Sequence, residues 1–219
     1  SIDHYQQFSR EFLPPEARPF KTELNRRYIL APIETGHLYL EQGNREKADK
    51  WYSAAEQLYS AIIQSGSNPS LVNDARLNRI TALLQKEQWE KATGYLDRLE
   101  AEITAEDKLP ALMYIRARIQ LKGFNNRSGA VAILEEIARK YPQSSEASSA
   151  LVTAAGIRFR EGEYDETRNL CQRILADYPQ RRNEAAEAIW MLAEIEEKAG
   201  NWLEASLHYK SLYQNYPFT

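Results

Sequence analysis

Gly200-Asn201-Trp202-Leu203-Glu204-Ala205-Ser206-Leu207-His208-Tyr209, closed by Leu212 and Tyr216-Pro217, decides the reading of this chain. A glycine ends one apolar stripe, a small residue sits five positions later, and a Tyr-Pro pair closes a second stripe. The same order recurs upstream as Gly162, Tyr164, Thr167, Cys171, Ile174 and Tyr178-Pro179. A third Tyr-Pro stands at Tyr141-Pro142, so the pairs are 37 and then 38 residues apart. A fixed period in the thirties marks an array of helix pairs, none of which can bury its apolar face without a neighbour.

Aligning on the small residue gives five centres, Ala48, Ala92, Ala130, Thr167 and Ala205, with steps of 44, 38, 37 and 38. A helix-like stretch precedes each, at Pro32–Gln42, Leu71–Lys86, Pro110–Lys122, Ser144–Glu161 and Asn183–Ala199. Within them apolar residues fall three and four apart, as in Ile189, Leu192, Ala193 and Ile195, the stripe of an amphipathic helix. Gly43, Gly162 and Gly200 suit helix ends because a left-handed residue there costs glycine little. The proline of each Tyr-Pro lacks an N–H and clashes with a continuing helix, so the second stripe stops there. Ser144 and Ser145 are expected to cap the helix after Pro142, and Pro69-Ser70 and Leu109-Pro110 mark similar boundaries.

These residues resemble the tetratricopeptide repeat family. The last copy carries Ile189, Leu192, Ala193, Gly200, Trp202, Ala205, Tyr209, Leu212 and Pro217; the one before it keeps Leu151, Ala154, Ala155, Gly162, Tyr164, Ile174 and Pro179. The copy centred on Ala130 keeps Tyr114, Ala117, Leu134, Ile137 and Pro142 but lacks the turn glycine and has Arg118 at a normally small position. Upstream, Leu77, Ile80, Trp89 and Leu96 mark one copy, and Gly36, Tyr39, Gly43, Ala48, Tyr52 and Ala55 another. The resemblance implies an all-α, right-handed superhelical α-solenoid of about five antiparallel helix pairs plus an N-terminal helix. The expected repeats are 29–66, 69–104, 108–142, 144–179 and 182–217, behind a segment 1–28. In that segment His4-Tyr5-Gln6-Gln7-Phe8, Phe12 and Pro14 resemble His208-Tyr209-Lys210-Ser211-Leu212, Tyr216 and Pro217. It reads as the second helix of a preceding repeat, which makes the chain an expected piece of a longer array.

Chemistry narrows the function. A net charge of −3 argues against nucleic acid, whose phosphates demand clustered Lys and Arg. No run reaches the roughly 18 apolar residues of a membrane helix. His4, His37 and His208 stand in separate repeats without ligand spacing, and no phosphate loop or nucleophile elbow occurs, so neither metal nor cofactor is expected. Cys171, between Leu170 and Ile174, reads as a buried inert thiol, and Trp89, Tyr164, Trp202 and Tyr209 as core.

In the resembled family the first helix of each pair lines a concave groove for peptides or helices. Carried over, that face holds Asn78, Ile115, Arg116, Ile119, Val152, Phe159, Arg160, Trp190 and Glu194 here. Ile115, Ile119, Val152, Phe159 and Trp190 would form an apolar floor, with Phe159 and Trp190 facing one hollow. A following helix that covers these residues is the alternative. Charge also shifts along the chain: residues 108–142 hold seven basic against two acidic residues, and 182–204 two basic against six acidic. That asymmetry suits an oppositely charged partner or self-association through the array ends. The leading expectation is a non-enzymatic scaffold binding a peptide segment or helix of another protein. Tyr-Pro closures followed by serines and spaced alanines also resemble bacterial envelope-associated repeats, which favours a periplasmic or outer-membrane-associated assembly factor over a cytoplasmic protein. An accessory helical domain of a larger enzyme is the third reading.

Overall fold

A computed structural model describes residues 18–66, 68–102 and 108–216. Pro217 and the opening segment that resembles a second helix lie outside the described residues, apart from its last turns. Ten α-helices run through the described residues: α1 Arg18–Glu41, α2 Arg45–Ser65, α3 Pro69–Gln85, α4 Trp89–Glu102, α5 Leu109–Lys122, α6 Arg127–Lys140, α7 Ser145–Glu161, α8 Tyr164–Asp177, α9 Arg182–Lys198 and α10 Trp202–Asn215. They form two compact units, one up to Leu99 and one from Glu100 onward. The chain is an all-α solenoid of consecutive helix pairs.

Each turn within a pair has one backbone solution. Gly43, Gly162 and Gly200 take φ of 73°, 80° and 79°. The two copies without a glycine at that place adopt the same left-handed conformation at Glu87 (φ 57°) and Asn125 (φ 50°). All five lie five residues before a centre. In four of them the next N–H donates to the carbonyl five residues back: Asn44 to Tyr39, Gln88 to Leu83, Glu163 to Arg158 and Asn201 to Glu196. That bond satisfies a carbonyl the ending helix leaves without a partner. In the remaining copy Asn126 reaches one residue further, to Gln120.

The second helix then starts on the same residue. The carbonyls of Asn44, Gln88, Asn126, Glu163 and Asn201 accept the N–H of Ala48, Ala92, Ala130, Thr167 and Ala205 at 2.9–3.1 Å. All five centres are buried. Thr167 fits because its hydroxyl donates to the Glu163 carbonyl at 2.8 Å, which removes the penalty for burying a polar group. The far end is equally uniform. Tyr141, Tyr178 and Tyr216 end α6, α8 and α10 with φ near −130° and ψ near 50° (−128°/55°, −131°/46°, −133°/52°). Each donates its N–H to the carbonyl four residues back.

Two local expectations change. The first helix does not begin at Pro32 but runs through it from Arg18. Proline contributes no N–H to the helical ladder there, and the Tyr59 hydroxyl of α2 donates to the nearby Ile29 carbonyl at 2.7 Å. Ser144 stands at the N-cap of α7, but its hydroxyl makes no capping bond, and Ser145 bonds to Glu146 instead. Asn68 does cap α3, accepting from Ser70 and Leu71 ahead of Pro69.

In the first unit Ile29, Ile33, Ala55, Leu58, Tyr59, Ile62, Ala75 and Ala82 form the core. The second unit has a larger core, drawn from α5 to α9 and including Leu134, Ile137, Leu151, Ile157, Cys171, Ile174 and Leu192. The backbone comes close to a buried ring at Gly36, where a Cβ would stand 2.4 Å from the Tyr52 ring. That ring is fully buried, so it has nowhere to move. Gly156 contrasts with it, since a Cβ there meets nothing nearer than Arg160 at 4.0 Å.

Gly36→Ala is therefore expected to cost about 1–3 kcal/mol by overpacking, whereas Gly156→Ala gains about 0.5–1 kcal/mol from helix propensity; urea unfolding of both variants checks the contrast. At the turns, Glu87→Gly relieves a strained conformation and is expected to raise stability by about 1 kcal/mol, while Gly162→Ala lowers it by about the same. Equal melting temperatures for Glu87→Gly and the parent would contradict this account of the turn.

Candidate functional site

The second unit places three first helices, α5, α7 and α9, at matched registers. Ile115, Val152 and Trp190 each stand fifteen residues before their centre, Ile119, Gly156 and Glu194 eleven, and Lys122, Phe159 and Glu197 eight. The three sets are successive rungs on the face expected to line the groove. On the first rung Ile115 and Val152 are half-buried and Trp190 is 49% exposed. The Trp190 ring meets Tyr209 of its own pair edge-on at 5.7 Å, and its Nε1–H donates to Glu194 at 3.0 Å.

Phe159 belongs to the third rung. Its ring lies 5.8 Å from that of Tyr164, and Lys198 of α9 stands over it at 5.9 Å. Phe159 and Trp190 thus sit seven positions apart in register, about 10 Å along a helix axis. Ile119 is 1% exposed, so it is core and offers no floor to a partner. Arg116 grips Glu100 through both carboxylate oxygens, at 2.6 Å and 3.3 Å, so its fork is already engaged. Arg160 is exposed and folds over the gap left by Gly156. Asn78 lies in the first unit, donating to the Asp74 carbonyl, and the structure does not group it with the others.

Several aromatics expected in the core are outside it. Trp202 is 66% exposed, and Tyr164, Tyr209 and Trp89 are half-buried. On α10 only Ala205 is buried among the described residues, because no further helix lies over it there. The Tyr209 hydroxyl instead donates to Glu197 at 2.8 Å, and that bond to a carboxylate is the main reason its ionisation is pushed up.

Electrostatic ties hold the pairs in register. Arg168 of α8 joins Asp165 to Glu196 of α9. The hydroxyls of Ser148 and Ser149 on α7 donate to Glu184 at 3.1 and 3.0 Å. Burial works against that carboxylate, yet its own backbone N–H and the hydroxyls of Ser149 and Ser148 together hold it below the usual range. Nothing local marks these partners, 35 and 36 residues apart, as a pair.

Elsewhere a cavity of about 620 Å³ is lined by Arg139, Arg158, Arg173, Glu135 and Glu136 with Ser128. Arg158 is bound to Glu163 and lies near Glu161, so the cavity presents mixed charge and no catalytic pairing. Among the described residues no three His, Cys, Asp or Glu side chains gather as a metal set. His37 meets the Tyr52 ring edge-on, and His208 lies on α10. No helix of the described residues is long and apolar enough to cross a membrane. Cys171 is fully buried, and burial pushes its thiol up to about 12.

The family model for the tetratricopeptide repeat matches residues 111–144 and 187–219, so these two stretches read as tetratricopeptide repeats. Proteins built from this repeat are generally non-enzymatic interaction scaffolds. Among solved structures, the chain is similar to nearly identical TPR-like repeats assigned to a kinesin light chain of Podosopora anserina: 15% identity, TM-score 0.58, over 86% of this chain and 93% of that one. It is also similar to BtubC (BKLC) from P. vanneervenii, at 17% identity and TM-score 0.55, over 91% of this chain and 85% of that one. At these identities the likeness concerns the fold. No curated protein matches the sequence.

The thiol supplies a test of the packing. The unfolded chain loses the Cys171 proton near the ordinary value of about 9, whereas the folded chain holds it to about 12. The unfolded state therefore binds fewer protons between those values, and stability falls as pH rises from 9 towards 12, by at most about 1.4 kcal/mol per pH unit. Comparing the parent with Cys171→Ala across that range isolates the effect: the parent's extra loss should vanish in the variant.

Proposed function

We propose that the tetratricopeptide repeats of this chain form a non-enzymatic scaffold that binds a peptide segment or helix of another protein on the first-helix face of its second unit. One observation supports this reading most directly. Trp190 holds a rung whose other members, Ile115 and Val152, are also apolar, yet half of its ring surface is left to solvent. A rigid, half-exposed Trp braced by Tyr209 on one side and Glu194 on the other has the character of an interface anchor. An accessory role beside a catalytic domain would use the same face.

A random 12-residue phage-displayed peptide library selected on the full chain tests the proposal. Enriched peptides should lose at least tenfold in affinity on Trp190→Ser, about 1.4 kcal/mol. Melting should change by no more than the aromatic contact with Tyr209 is worth, about 0.5–1.5 kcal/mol. Peptides that bind Trp190→Ser as well as the parent would place recognition elsewhere on the molecule.

A further inference from the structure

The same face is electrically two-ended. On α5 and α7 its exposed charges are Lys122 and Arg160, and no carboxylate is paired with either among the described residues. The other cation there, Arg116, is neutralised by Glu100. On α9 the face carries Glu187, Glu194 and Glu197 against Lys198. Glu194 and Glu197 accept bonds from Trp190 and Tyr209, which fixes both carboxylates beside the aromatic anchor without neutralising them. Packed helices lie about 8–10 Å apart, so Arg160 on α7 stands about one helix spacing from the α9 carboxylates and Lys122 on α5 about two. Val152 and Trp190 lie to one side of Lys122, Arg160, Glu194 and Glu197, towards the helix starts, and the Arg160 guanidinium folds over the gap at Gly156. A guanidinium at such a gap can take a carboxylate through both of its outer nitrogens.

Resting on the groove reading above, we infer that the occupant of this face is a bipartite segment. One end is acidic, set against Lys122 and Arg160. The other is basic, set against Glu194 and Glu197. Apolar side chains beside the charged stretch lie on Val152 and Trp190. A uniformly acidic ligand would meet the α9 carboxylates, and a uniformly basic one would meet Arg160, so each is disfavoured at one end by like charge.

The test selects the random 12-residue library on the full chain and, in parallel, on the double variant Glu194→Lys/Glu197→Lys. Peptides enriched on the parent should carry an acidic cluster, a basic cluster and apolar residues, and those enriched on the variant should lose the basic cluster. A parent-selected peptide should bind Arg160→Glu at least tenfold more weakly and recover when its acidic cluster is changed to lysine, while circular dichroism and melting stay those of the parent. Enriched peptides that need Trp190 but show no charge order, or that bind the double variant equally, overturn the inference and leave the scaffold reading standing. A library that yields no binder overturns both.

Discussion

Each second helix lies against its first helix through one small, buried side chain, and the rest of the architecture follows from that approach. Ala48, Ala92, Ala130, Thr167 and Ala205 permit it, and the backbone immediately before each is held to one course. The left-handed residue reverses the chain, the next carbonyl receives the centre's N–H, and the helix begins with its small side chain already facing its partner. A larger residue at the centre would push the pair apart and misplace the interlocking rows beyond it. The burial of Tyr52 against Gly36 is the same constraint one turn further along.

That constraint explains which features were legible in the sequence. The period and the pairing of stripes recur in all five copies, and the glycine turns and the Tyr-Pro stops in three each, so this local chemistry could be read without a structure. Glu87 and Asn125 could not be read as turn residues in the same way. Asn tolerates the left-handed region and Glu is pressed into it by the helices on either side, so neither residue type announces its conformation. Pro32 misled for a related reason: proline breaks helices on average, yet α1 runs through this one.

The candidate site was legible in position more than in environment. The register of Ile115, Val152 and Trp190 follows from counting back from the centres. Whether a side chain on that face is engaged depends on residues far along the chain, as Arg116 does on Glu100 and Trp190 on Tyr209. Burial of an aromatic likewise depends on the next helix, which no window around Trp202 contains. Periodicity specified rows, and long-range partners decided which members of each row remain free to act.

The contrast between α10 and α8 bears on how the pair of α9 and α10 is held together. In an array each helix is held chiefly by its neighbours, so opening a helix costs only the contacts on its own two sides. Among the described residues α10 buries Ala205 and leaves Trp202, Leu203, Leu207 and Tyr213 to solvent, while α8 is enclosed through Leu170, Cys171 and Ile174. The edge-on contact of Trp190 with Tyr209 is one of the ties between α9 and α10. A ligand seated on Trp190 would act as a clasp across that joint.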